Sequence, residues 1–141
     1  MSTDLLQRLA DRAELDDLVA RHTLWVDEAR WDETDRVFTE DVVVTSLRGE
    51  ARGIPALVAM VSGHTGYEAT LHTKANTVIE LDGDTASVRA NDIGVFIANG
   101  EEAAIASGTH HYTARRTPAG WRFDSLRVVP FALTGAIARV L

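Results

Sequence analysis

Cysteine is absent, so disulfides, thiolate metal sites and cysteine nucleophiles are all excluded. No apolar run approaches the roughly 18 residues that a membrane-spanning helix needs. Positive charge is scarce: 14 Lys and Arg stand against 21 Asp and Glu, a net charge of −7. Nucleic acids and anionic membranes both need a basic surface, so neither is expected as a partner. A glycine-rich loop for cradling phosphate is missing, as is the GxSxG elbow of serine hydrolases. The first segment, MSTDLLQRLADRAELDD, is charged throughout and carries no signal-peptide pattern, which makes a cytoplasmic protein the expectation. There is no repeat, low-complexity tract or linker. What is left is an ordinary soluble composition, 45% apolar and 25% charged, over 141 residues. One domain spanning residues 1–141 is expected, large enough to bury a core and a ligand cavity.

The periodicities divide the chain into helices first and strands later. Asp4 to Ala29 reads as helix, with Leu15, Leu18, Val19, His22, Trp25, Val26 and Ala29 on one apolar stripe. Leu5, Leu6 and Leu9 form an offset stripe, which allows a break near Asp11 to Ala13. Asp27 falls beside the main stripe by ideal helical geometry. Asp32 can cap a short helix, Glu33 to Thr39. The β-branched run Val42 to Leu47 reads as a strand. Gly49 to Gly53 turns the chain, and Ile54 to Ser62 reads as a helix with Pro55 in its first turn. Gly63 to Ala69, with two glycines, suits a lid. Strands follow: a hairpin over Leu71 to Phe96 around Asp82-Gly83, a two-residue turn at Asn99-Gly100, a strand from Ala103 to Arg116, a turn at Thr117 to Gly120, and a last strand from Trp121 that stops before Pro130. The apolar tail FALTGAIARVL covers the sheet or an oligomer contact. Segregated helices and strands predict an α+β fold, helices on one face of a curved antiparallel sheet, with a pocket between the layers.

The chemistry concentrates on the hairpin. His72 opens its first strand and Asp92 lies near the end of its second, a possible general base with a carboxylate partner. Register decides whether they meet, because a one-residue slip exchanges the faces. If Leu81 pairs with Thr85, the even positions share a face and the two residues sit together; if Leu81 pairs with Asp84, they are separated. His72 shares its face with Lys74 and Asn76. Asp92 shares its own with Ala86, Val88, Ala90, Gly94 and Phe96, which predicts an interior carboxylate that needs a partner. The alternatives are a histidine satisfied at the strand surface and a structural carboxylate bonded to backbone. In the next strand the Asn99-Gly100 turn puts His111 on the face of Asp92 and turns His110 and Tyr112 away. His72, His111 and Asp92 lack the tight spacing of a metal set, and no metal is expected. Arg127, on the face of Trp121, Phe123 and Val129, can anchor an oxyanion or simply pair with Asp92.

The order of these elements resembles the NTF2-like fold, and the local motifs resemble its SnoaL-like branch. The matching stretches are WVDEARWD (Trp25 to Asp32), VFTEDVV (Val37 to Val43), RGIPAL (Arg52 to Leu57), HTKANTVIELDGDTA (His72 to Ala86), and GTHHYTARR with PAGWRF between Gly108 and Phe123. They span nearly the whole chain. The resemblance implies a conical pocket, no cofactor and often a dimer. In dehydratase-like members an aspartate after the first helix and a histidine on the sheet form a dyad; Asp27 and His72 stand at those positions. A further sheet carboxylate matches Asp92, and an arginine of the last strand matches Arg127. Several relatives carry a tyrosine five residues before the helix aspartate. Here that place is His22, a replacement proton donor.

These readings converge on a cofactor-independent acid/base enzyme, a dehydratase or cyclase, acting on a hydrophobic carbonyl-bearing small molecule of polyketide or steroid type. The expected catalytic groups are His72, Asp27 and Asp92. The expected substrate contacts are His22, Trp25, Phe96, His111 and Arg127, and a homodimer is the expected assembly. Two alternatives stand beside this reading. One is a noncatalytic binding or accessory subunit, like the small subunits of ring-hydroxylating dioxygenases. The other is an epoxide hydrolase built from Asp27, Asp92 and Arg127.

Overall fold

The computed structural model describes residues 3–63, 68–97 and 103–134. Helix α1 (Thr3–Asp27) is followed by a 3-10 turn (Trp31–Arg36), strands β1 (Phe38–Ser46) and β2 (Gly49–Arg52), and helix α2 (Ile54–Ser62). Strands β3 (Ala69–Asp82), β4 (Thr85–Ile97), β5 (Ala104–Thr117) and β6 (Gly120–Leu133) complete it. The sheet has the order β2-β1-β6-β5-β4-β3. Every neighbouring pair is antiparallel except β1 with β6, which run parallel. The helices pack on one face of this curved, unclosed sheet, so the expected α+β architecture is the observed one. No described helix is long and apolar enough to cross a membrane.

Helix α1 runs unbroken through Asp11–Ala13. The position that suggested a break is held by side-chain bonds instead: Asp11 accepts from both terminal nitrogens of Arg116, at 2.8 and 2.9 Å, and from the Trp121 indole N–H at 3.1 Å. Arg116 pulls the Asp11 carboxyl down to about 2. The helix ends at Asp27 rather than Ala29. Ala29 adopts left-handed angles (φ 51°), and the Arg30 N–H donates back to the Trp25 carbonyl at 2.9 Å. That is the hydrogen-bond pattern of a Schellman stop, made here without the usual glycine.

The Glu33 to Thr39 helix shrinks to the 3-10 turn, because Phe38 and Thr39 already belong to β1. The Gly49 to Gly53 turn contains a short strand, β2, paired with Val43 to Ser46. Helix α2 matches its expected bounds. Residues 64–67 of the expected lid, the Asn99-Gly100 turn and residues 135–141 of the tail lie outside the described residues. Strand β6 continues past Pro130, which sits beside a register shift opposite Gly108. The core between the layers is built from Leu15, Leu18, Trp25, Phe38, Val88, Tyr112, Trp121 and Phe123, all almost completely buried.

Two register shifts decide which side chains face that core. At the β3–β4 turn Leu81 pairs with Ala86, a register that taken alone would separate His72 from Asp92. Between Ala75 and Val78 the register slips by one residue, with Asn76 in left-handed conformation (φ 53°). One extra residue exchanges the faces of a strand. Beyond it His72 pairs with Gly94 and Lys74 with Asp92, so the even positions of both strands face inward. The shift of β6 between Phe123 and Ser125 turns Arg127 out while Leu126 turns in.

Candidate active site

Asp27 ends α1 at the layer boundary, where its carboxylate reaches the start of β3. Three donors converge on it: the Thr70 hydroxyl at 3.0 Å, the His72 backbone N–H at 2.8 Å and His72 Nδ1 at 2.6 Å. A carboxylate can only accept, so His72 carries its proton on Nδ1 and presents Nε2 as the basic nitrogen. Gly94 lies across the ladder, where an added Cβ would come within 3.1 Å of His72 Nε2 and 2.8 Å of the Phe96 ring. The missing side chain leaves the imidazole its place. Phe96 closes against its edge, with centroids 5.4 Å apart and planes at 88°.

A second polar group lies one ladder step along. Lys74 Nζ donates to Asp92 Oδ1 at 2.5 Å, and both side chains are nearly buried. Burial pushes the Lys74 ammonium below the usual lysine range, against the pull of Asp92. His110 Nε2 stands 3.4 Å from Asp92 Oδ2, and burial lowers its pKa to about 3, so it is neutral. Tyr112 Oη is 3.4 Å from His110 Nδ1 and 2.7 Å from His22 Nδ1. Burial lowers His22 well below its ordinary value and raises Tyr112 well above its own. One donor order satisfies the row: His22 Nδ1–H to Tyr112, Tyr112 O–H to His110 Nδ1, His110 Nε2–H to Asp92. Buried polar groups without such partners would be costly, so the row is fixed as a unit.

Both groups open on one cavity of about 450 Å³ between α1, α2 and the sheet. Of the expected site residues, Asp27, His72, Asp92, His22, Trp25 and Phe96 line it. The Trp25 ring is held by an indole N–H bond to Thr34 at 2.8 Å. His111 and Arg127 do not line it, and both placements are corrected here. Phe96 pairs with Ala104, where the expected two-residue turn would have paired it with Ala103. This one-residue difference turns His110 and Tyr112 inward and His111 outward. His111 meets Arg127 and Arg89 on the outer face, where partial burial and those two cations lower its pKa. The metal set of His72, His111 and Asp92 is therefore divided between two faces. Among the described residues no three His, Asp or Glu side chains are grouped to hold a metal.

Lys74, His110 and Tyr112 are the cavity-network residues that the sequence reading did not select. One signal was available for Lys74: it is the only lysine in the chain, against thirteen arginines. Every other side-chain cation is a guanidinium, which does not give up its proton near neutral pH.

Helices packed on one face of a curved, mostly antiparallel six-stranded sheet are the fold that this chain shares with NTF2-like proteins. The chain superposes on an NTF2-like superfamily protein from Salmonella enterica with a TM-score of 0.82, at 17% identity over 91% of this chain and 96% of the other. It belongs to the SnoaL-like domain family, whose pattern matches residues 7–127. An uncharacterized protein of Mycobacterium tuberculosis, Rv2910c, is 29% identical over 119 residues, 81% of each chain. Two further crystal structures share the fold. One, a candidate scytalone dehydratase from Novosphingobium aromaticivorans, has a TM-score of 0.82 at 20% identity, covering 90% of this chain and 88% of its own. The other, the hexachlorocyclohexane dehydrochlorinase LinA-type3 from Novosphingobium barchaimii, has a TM-score of 0.81 at 18% identity, covering 92% of each.

Proposed function

We propose that the protein is a cofactor-independent acid/base catalyst, of dehydratase or cyclase type, for a hydrophobic small molecule bearing a carbonyl. The observation that carries this reading is the 2.6 Å bond between Asp27 and His72 Nδ1 at the wall of the cavity. His72 Nε2 removes a proton from the carbon next to the carbonyl. Asp27 holds the tautomer and stabilises the imidazolium that forms. The Lys74 ammonium, steadied by Asp92, faces the oxygen on which the enolate charge develops. It takes the oxyanion-anchoring part expected of Arg127, which lies on the other face of the sheet. Loss of a leaving group or ring closure follows, as the substrate dictates. Two structural neighbours bear the names of a candidate dehydratase and a dehydrochlorinase, and an elimination of that kind suits a base at His72.

The open cavity favours this reading over an accessory subunit that fills its cone with side chains. The epoxide-hydrolase reading needs an arginine between Asp27 and Asp92, and Arg127 is on the other face of the sheet.

The test is solvent exchange. In D2O the protein is expected to accelerate deuterium uptake at the α-carbons of 4-phenylcyclohexanone, followed by NMR. His72→Ala is expected to lower that rate by about 10²–10⁴-fold. Equal rates for the two proteins would remove His72 from the chemistry.

A further inference from the structure

Lys74 is the one primary amine on any side chain of this protein, and it is placed in the wall of the cavity with 7% of its side chain exposed. A cation needed only for charge or solubility is arginine everywhere else in the chain, including the pair that Asp11 makes with Arg116. What lysine can do and arginine cannot is lose a proton and become a nucleophile. Its surroundings are arranged for that step. Asp92 Oδ1 sits 2.5 Å from Nζ and can accept the proton. Burial disfavours the ammonium form of Lys74, which brings the neutral amine within reach. His110, held neutral, is on the far side of the same carboxylate. Two positions back on the same face is His72, about 6.6 Å along the strand. Both side chains therefore stand in the same wall of the cavity, so a carbon next to one bound at Nζ lies on the side of the cavity that His72 lines.

We propose that Lys74 captures an aldehyde or ketone in the cavity as an imine. Its ammonium passes a proton to Asp92, and the Nζ lone pair forms a bond to the carbonyl carbon while the C=O electron pair moves to oxygen. The resulting carbinolamine takes up protons at oxygen and expels water. Overall, one ammonium and one carbonyl become one iminium and one water, with no oxidant or reductant. The iminium acidifies the adjacent C–H, and the base at His72 is placed to take that proton. This activity shares its cavity and Lys74 with the proposed acid/base reaction, but bond formation is read at Nζ and proton removal at His72, so trapping and exchange can fail separately.

The experiment is reductive trapping on the intact chain. The folded protein is incubated near pH 7 with 4-phenylcyclohexanone or benzaldehyde and sodium cyanoborohydride, and the adducts are located by peptide mass spectrometry. The chain offers two amines, Lys74 and the N-terminal α-amine. An ordinary lysine, at a pKa of about 10.4, reacts more slowly at this pH than an α-amine at about 8. Lys74 is expected to be trapped faster than the α-amine in the folded protein, and slower than it in urea. Prior filling of the cavity with 2-phenylnaphthalene is expected to suppress only the Lys74 adduct. His72→Ala is expected to keep the adduct while losing deuterium exchange, and Lys74→Arg to lose the adduct. Trapping at the α-amine alone, or at Lys74 no faster than at the α-amine, would overturn the proposal and leave the role of His72 untouched.

Discussion

Asn76 sets the face into which His72 looks. Its left-handed backbone inserts one residue into β3, and without that residue His72 would point away from Asp92 and the cavity. Asparagine tolerates this conformation better than most residues, whereas a β-branched side chain does not. Asn76→Gly is expected to fold with nearly unchanged stability and to keep α-proton exchange. Asn76→Val should cost about 1–2 kcal/mol in urea unfolding, and its exchange rate should fall more than that loss of folded protein explains. A valine variant with wild-type stability and exchange would show that the bulge does not depend on residue 76.

Gly94 gives a second handle on the same imidazole. A methyl group there must displace Phe96 or His72, since it would stand 2.8 Å from one and 3.1 Å from the other. Gly94→Ala is expected to be folded, with a modest loss of stability on the order of 1–3 kcal/mol. Its exchange rate should drop by at least about tenfold, because an angstrom of misplacement at a general base is costly. Should the variant exchange protons at the wild-type rate, the imidazole position is not controlled from β4.

The buried histidines make stability depend on pH in a defined direction. His110 titrates near 3 in the folded protein and near 6.5 when unfolded. Between those values the unfolded chain binds a proton that the folded chain refuses. Its contribution is complete above about pH 6.5 and is lost as pH falls toward 3, by an amount on the order of a few kcal/mol. His22, lowered by burial as well, adds in the same direction. The urea midpoint is expected to decline from about pH 6.5 downward, before most carboxylates titrate. His110→Gln should flatten that decline. A midpoint that holds constant down to about pH 4.5 would contradict the placement of these rings.

Far from the cavity, Asp11 ties α1 to the end of the sheet through Arg116 and Trp121. Asp11→Ala leaves the buried Trp121 indole N–H without its acceptor, while Arg116 keeps Asp84 at 2.9 Å, at a cost of about 1–3 kcal/mol in urea unfolding. The folded fraction should still exchange α-protons at the wild-type rate, since Asp11 does not reach the cavity. A loss of exchange per folded molecule would mean that the two ends of α1 are coupled.

How much could be read from the sequence follows from where its periodicity is interrupted. Strand β4 alternates without a break, and the inward face carrying Asp92 and Phe96 was legible in full. The stripe of α1 gave His22 and Trp25 in the same way. Asp27 lay off that stripe by angle. It reaches the site because the helix stops there, at an alanine that does not announce itself as a stop. In β3 and β6 parity fails, since each carries an extra residue that pure alternation cannot register. The turn dipeptide Asp82-Gly83 was visible, but the bulge that overrides its register was not. Arg127 was carried to the wrong face by the same kind of error, and His110 and His111 exchanged roles through one residue in the connection after β4. Family likeness supplied the Asp27–His72 pair; the Lys74–Asp92–His110 row emerged only when register was fixed.

The parallel pairing of β1 with β6 has a consequence for the order of assembly. Strands β3 to β6 each pair with a neighbour in sequence, but β1 finds its central-side partner only in the last strand, with Val44 against Leu126 and Thr45 against Arg127. Closing a loop of some eighty residues is slow compared with zipping a hairpin. During synthesis the helices, β1 and β2 must therefore wait until β6 has left the ribosome before the wall behind Trp25 and Phe38 can close. Pulse-labelled amide exchange should find protection in β4 and β5 before it appears in β1; simultaneous protection would refute this order. The chain sets the shared face of His72, Lys74 and Asp92 early and closes the cavity over it last.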